Sequence, residues 1–249
     1  MRYLGYLKYR GTSFYGFERQ KEHRSIQGTV EGVLSQICGE NVKIHGAGRT
    51  DAGVHALAQS FSFDTVSTLS IEQIVYAANR LLPEDILLSS LQKVGPHFDA
   101  RHSLSGKIYE YRFSYGQKDP FQVGLLTQLQ RPDFDVSSFK KCLSFFVGTH
   151  DFSNLTTKKE DKENFIRTIN EIIVDLDESR KAGKVIFKGL HFMTYQVRLM
   201  MGLSFRCAYH QKNPDEVPFL MNQKPRKILS YKAPSDGLYL VEVNYENFD

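Results

Sequence analysis

The chain opens on a period-two alternation of apolar and polar residues, RYLGYLKYR at residues 2–10, which predicts a β-strand. At Ser25 the period changes. Ile26, Val30, Val33, Leu34 and Ile37 fall on one helical face, with Ser25 placed to cap the start and Gly39 to close the end. Residues 41–45 and 57–64 read as two further strands. SIEQIVYAANRLLP then opens with a Ser70-x-x-Gln73 capping box, carries Ile71, Ile74, Val75, Ala78 and Leu82 at helical spacing, and stops at Pro83. ILLSSLQKV follows as a strand, so the first hundred residues run strand, helix, strand, strand, helix, strand.

The remainder repeats that order. Residues 107–115 alternate as a strand that places Tyr109, Tyr111, Phe113 and Tyr115 on one face, a stripe that by default is core. Asp135 caps a helix carrying Phe139, Cys142, Leu143 and Phe146, which Gly148 ends. Residues 165–176 and 184–192 form a strand pair around DESRKAG. A helix over about 194–209, a short helix near 215–221 and the closing strand GLYLVEVNY complete the chain. Each half is therefore a ferredoxin-like β-α-β-β-α-β unit, and the class is α+β. Two antiparallel sheets, merged edge to edge around a central cleft with helices outside, are the expected architecture. The expected division is 1–100 and 101–249, with RHSLSG as the crossing point. The repeat rests on element order, because the halves share no visible sequence identity.

With 249 residues, 41% hydrophobic and 12% aromatic, the chain can build a substantial core. No stretch approaches the roughly 20 apolar residues of a membrane span, and the N-terminus alternates instead of running apolar, so a soluble protein without a signal peptide is expected. Cys38, Cys142 and Cys207 are far apart and odd in number, which supports neither a disulfide frame nor a zinc site and fits a reducing cytoplasm. A net charge of +4 is compatible with a polyanionic partner without requiring one.

Candidate chemistry concentrates in GAGRTDAGVHALAQ, residues 46–59, where Arg49, Asp51 and His55 stand among three glycines and four alanines. The element order makes the opening part of this stretch a loop between the second and third strands. No Lys-Ser/Thr follows its glycines and no helix pattern lies directly behind, so phosphate-cradle chemistry does not fit. A solvated Gly/Asp turn is the simplest reading. Against it, three chemically capable side chains sit in a segment whose small neighbours let a flat ligand approach closely.

GAGRTDAGVHALAQ resembles the signature of the A-family tRNA pseudouridine synthases. The resemblance continues in order through YRGTSFYGFERQ and SIQGTVEGVL before it, and FDARHSLSGKIYEYR, GTHDF, FMTYQVRLMMG and GLYLVEV after it. Such enzymes break the uridine N1–C1′ bond, turn the uracil and rejoin it through C5, without cofactor or metal. The resemblance assigns the catalytic carboxylate to Asp51, its basic partner to Arg198, and the active-site tyrosine to Tyr109; whether Asp51 attacks C1′, attacks C6 or acts as a base stays open. Arg49 matches the arginine that assists base flipping. Phe17, Arg19, Arg24, Lys158, Lys159 and Arg167 are candidate RNA contacts, and His55 and Gln59 are expected to support the loop. A cytoplasmic homodimer acting on tRNA positions 38, 39 and 40 in the anticodon arm is the implied context.

Two departures stand out. Gly16-Phe17 replaces the family's usual Gly-Trp, and Gln196 stands where Met is usual. A catalytically silent RNA-binding or chaperone protein on the same fold is one alternative; an unrelated hydrolase using Asp51 is another.

Overall fold

A computed structural model describes residues 1–157 and 164–248. Among these, no helix is long and apolar enough to cross a membrane. The chain divides into two compact units, one of Met1–Lys107 with Tyr239–Asp249 and one of Ile108–Leu238.

The first unit follows the anticipated order: β1 (Arg2–Tyr9), α1 (Ile26–Cys38), β2 (Ile44–Gly46), β3 (His55–Asp64), α2 (Ile71–Leu81) and β4 (Ile86–Val94). The strands lie in the order β4-β1-β3, with β2 also on β3, and these pairings are antiparallel. Both helices start and stop as their caps dictate. Ser25 accepts from Gly28 N, Gly39 takes a left-handed φ of 69°, and Ser70 and Gln73 form the reciprocal capping box. The buried stripe of α1 is Ile26, Val30 and Leu34 at four-residue spacing. These side chains and Ile74 and Ala78 of α2 are buried together with the apolar residues of β1 and β3, where Phe61 covers Gly5: a Cβ there would lie 2.5 Å from the Phe61 ring.

The second unit contains most of β5 (Leu104–Ser114), then β6 (Thr127–Gln128), α3 (Val136–Ser144), β7 (Gly148–Asp151), β8 (Ile166–Asp177), β9 (Ala182–Gly189), α4 (Gln196–Ala208) and α5 (Val217–Asn222). Its strands lie in the order β5-β9-β8-β7. The short β6 and β7 have no sequence signal, since four residues or fewer cannot establish a period. The aromatic face of β5 is core, as its alternation predicts: the Phe113 ring meets Phe134, Phe139 and Phe205 at centroid distances of 5.7, 5.4 and 5.1 Å.

The closing strand β10 (Leu238–Tyr245) departs from the expected division. It pairs in parallel with β3, Tyr239 opposite His55 and Leu240 opposite Ala56, and so belongs with the first unit, not with an independent 101–249 half. One edge of β3 faces β1; on the other, β2 covers residues 61–63 and leaves the start of the strand open. Backbone groups in a strand this buried need partners, and β10 supplies them.

α4 is buried at every residue except Arg206, far beyond one amphipathic face. Gly202 makes that possible, because a Cβ there would lie 1.3 Å from the Tyr231 carbonyl oxygen. Gly202→Ala is therefore expected to destabilise the protein by about 3 kcal/mol through overpacking against fixed backbone. Gly32→Ala, on the exposed side of α1 with nothing within 4 Å, should instead stabilise by about 0.5 to 1 kcal/mol. Urea unfolding of the two variants beside the parent checks both signs.

Candidate active site

The loop between β2 and β3 lies against residues 11–17, and glycines permit the contact from both sides. A Cβ on Gly11 would sit 1.9 Å from the Val54 carbonyl, and one on Gly46 would strike the Phe17 ring at 2.4 Å. Phe17 N donates to the Thr50 carbonyl and Gly53 N to that of Phe14, at 3.1 and 3.2 Å. Val54 N donates to the Asp51 carbonyl, and Gly53 takes φ 80° at the third position of the turn, where glycine is favoured. The Asp51 carboxyl, the sole acidic side chain in residues 46–59, is half-buried on this turn.

Buried polar side chains from three strands hold the segment just before Asp51. The Tyr9 and Thr50 hydroxyls share a hydrogen bond of 2.8 Å, Gln59 Nε2 donates to the Gly48 carbonyl at 2.9 Å, and Lys107 Nζ donates to the Ala47 carbonyl at 2.7 Å. His55 is also structural: its Nδ1 accepts from Gly11 N at 3.1 Å and its ring stacks on Tyr239. That acceptor role requires an unprotonated Nδ1. His55 and Gln59 thus support the loop as the sequence leads one to expect.

The other assigned residues belong to the second unit. Tyr109, on β5, is buried and meets the Phe192 ring edge-on at 5.1 Å. Arg198, in the first turn of α4, is 8% exposed. Its Nε donates to the Ala233 carbonyl at 2.8 Å, Ala233 N donates back to the Arg198 carbonyl, and its guanidinium lies 5.3 Å from the Tyr195 ring centre. Tyr195 precedes the helix at φ 60°, so α4 begins abruptly at Gln196, whose Oε1 accepts from Met193 N. This pairs a backbone donor in the segment leading into the helix and gives the Gln found in place of Met a local task.

The candidate RNA contacts occupy varied settings. Phe17 is 3% exposed, and its ring backs the loop against Gly46 instead of presenting a stacking face. Arg19 pairs with the buried Glu31, and Arg24 pairs with Asp85 and lies over the Phe14 ring. Arg49 is the most open of these, bridging to Glu18 at 2.9 Å with both side chains largely exposed. Arg167 turns Nη1 onto the carbonyls of Asn164 and Ile166. Lys158 and Lys159 lie outside the described residues.

Lys107 is the site residue that motif reading missed. The signal was present: the alternation placing Tyr109, Tyr111, Phe113 and Tyr115 inward extends back two residues to Lys107, a lysine at a core-facing position.

The family model for tRNA pseudouridine synthase matches residues 7–103 and 143–246. The tRNA pseudouridine synthase A of Staphylococcus saprophyticus is 34% identical over 244 residues, covering 98% of this chain and 90% of the relative. That of Acetivibrio thermocellus is 34% identical over 239 residues, 96% of this chain and 97% of the relative. That of Staphylococcus aureus is 35% identical over 245 residues, 98% and 91%. With the Asp51 turn built and braced as described and the likeness running nearly end to end, the chain belongs to the tRNA pseudouridine synthase family, isomerases that act on uridine in tRNA.

Proposed function

We propose that this isomerase converts uridine to pseudouridine at positions 38, 39 and 40 of the tRNA anticodon arm, with Asp51 as nucleophile or base and no cofactor. The observation that carries the reading is the setting of Asp51: one carboxylate on a tight turn whose approach is pinned by buried donors, among residues too small to obstruct a nucleoside. A carboxylate in that position reacts without first having to order its backbone. In this reading Arg198 is the basic residue that favours the ionised form of the Asp51 carboxyl. Tyr109 supplies an aromatic surface for uracil and a hydroxyl for proton transfer at C5.

The target base has to leave its stack, at a cost of a few kcal/mol. Arg49, exposed and ion-paired with Glu18, is the residue proposed to enter the vacated space. Phosphate contacts supply bulk affinity, from Arg19 and Arg24, which keep about half of their side-chain surface open while paired, with Arg167, Lys158 and Lys159 adding to them. Phe17 serves as support beneath the loop. A cytoplasmic homodimer is the assembly proposed.

Asp51→Asn is expected to lower isomerisation by at least about 10³-fold while tRNA affinity changes less than about twofold, because phosphates and not the carboxylate provide binding. Carbodiimide-stop primer extension on a transcript with uridines at 38, 39 and 40, beside a filter-binding assay, reads both. Substantial activity in the Asn variant would remove Asp51 from the chemistry, and bound tRNA with no stops from the parent protein would favour the silent RNA binder.

Arg198→Ala removes a buried charge-assisted hydrogen bond to the Ala233 carbonyl and is expected to destabilise by about 2 kcal/mol and to lower the rate at least tenfold. Thermal melting and single-turnover rates check this; unchanged stability with unchanged rate excludes Arg198 from the site.

A further inference from the structure

Most charged side chains of the first unit lie at its surface or are ion-paired, as Arg2, Arg19, Arg24 and Arg49 are. Lys107 is different. It is 7% exposed, and its ammonium donates to a neutral carbonyl, that of Ala47. Gly48 makes room for it: a Cβ at Gly48 would lie 2.6 Å from Nζ. The charge that acts on it most is Arg101, a second cation. On the loop it contacts, the charged groups are Arg49, engaged by Glu18, and Asp51; on β3 the nearest titratable group to the loop's end is His55, which accepts from Gly11. Glu110, its neighbour along β5, is committed to Arg112 and Lys184.

A buried ammonium is an expensive way to satisfy one carbonyl. One position along the same loop, the Gly48 carbonyl receives the same service from the neutral amide of Gln59. Structure alone therefore gives no reason for a cation here, and the loop's chemistry does. We propose that Lys107 is a positioning residue for the isomerisation: its charged hydrogen bond to Ala47, with Nζ seated over Gly48, fixes the backbone leading to Asp51. The inference rests on the reading of Asp51 as the reacting carboxylate.

A consequence is alkaline sensitivity. Burial, with the Arg101 charge adding to it, pushes the Lys107 ammonium down to about 8. A neutral amine still donates, but loses the strength and shorter geometry of the charge-assisted bond. The effect on the fold has the opposite sign. Because the folded-state value is depressed below the usual 10.5, the unfolded chain holds more protons between about 8 and 10.5, so this group makes the fold more stable as pH rises through that window. The titration of Lys107 therefore does not lower the rate there by unfolding the protein.

The test compares single-turnover rates, tRNA affinity and melting temperature at pH 7.5 and 9 for the parent, Lys107→Met, Lys107→Arg and Asp51→Asn. The parent is expected to lose rate by up to about eightfold between the two, the change in protonated fraction across a pKa near 8, with affinity held. Lys107→Met should be at least tenfold slower at pH 7.5 and flat with pH. Lys107→Arg, which keeps its charge, should recover most of the rate and remain flat, which separates Lys107 from any titration of the substrate uridine. A Lys107→Met protein with the parent's rate and the parent's alkaline loss overturns the proposal. If neither Lys107 variant folds, the parent profile decides: a flat rate from pH 7.5 to 9 overturns it, and a loss with retained melting temperature and affinity supports it. Activity in Asp51→Asn would instead defeat the reading of the loop, whatever Lys107 does.

Discussion

A buried carbonyl has to find a donor, and the carbonyls of Ala47 and Gly48 set the terms for everything around them. The loop after β2 packs against residues 11–17, and framework side chains pair its polar groups: Lys107 the carbonyl of Ala47, Gln59 the carbonyl of Gly48, and Tyr9 the hydroxyl of Thr50. β1, β3 and β5 each contribute one of these groups at an inward position. The pattern is rigid because each strand fixes its side chain by the sheet's own register, and a one-residue slip would carry any of them to the opposite face. Asp51 inherits that rigidity four residues further on.

Small residues in the loop and its neighbour are the other half of the same constraint. Gly11, Gly46 and Gly48 each stand where a Cβ would meet backbone, an aromatic ring or an ammonium within 3 Å. Close approach keeps the Ala47 carbonyl from water, and thereby makes its framework donor necessary. The tight packing and the buried polar side chains are one arrangement.

In the second unit the same logic applies to a helix. α4 is sunk so deeply that Arg198 cannot reach bulk water from most of its length, and its Nε is satisfied by the Ala233 carbonyl on a segment that Gly202 allows to come close. A buried arginine kept in this way retains a fixed orientation, because leaving the site would orphan both the guanidinium and the carbonyl. Tyr109 packs by a different force, a T-shaped contact with the ring of Phe192.

Local pattern carried a large part of this far. The capped helices α1 and α2, the alternation of β1 and β5, and the order of elements in the first unit follow from spacing and capping chemistry that act within a few residues. The loop sequence itself marked Arg49, Asp51 and His55, and resemblance marked Tyr109 and Arg198. What the chain alone withheld depends on contacts between residues far apart. The partner of β3 at its first residues is β10, nearly two hundred positions away, so the division into units could be drawn only from the folded chain. The ring of Phe17 lies against Gly46, and Arg19 and Arg24, candidate RNA contacts by resemblance, are paired with Glu31 and Asp85; no local pattern encodes these contacts. Lys107 showed its inward position in the alternation, but its task lies in a carbonyl sixty residues earlier. Periodicity determines which face a side chain takes; only the tertiary structure decides what stands opposite, because that partner is set by how the strands and loops close on one another.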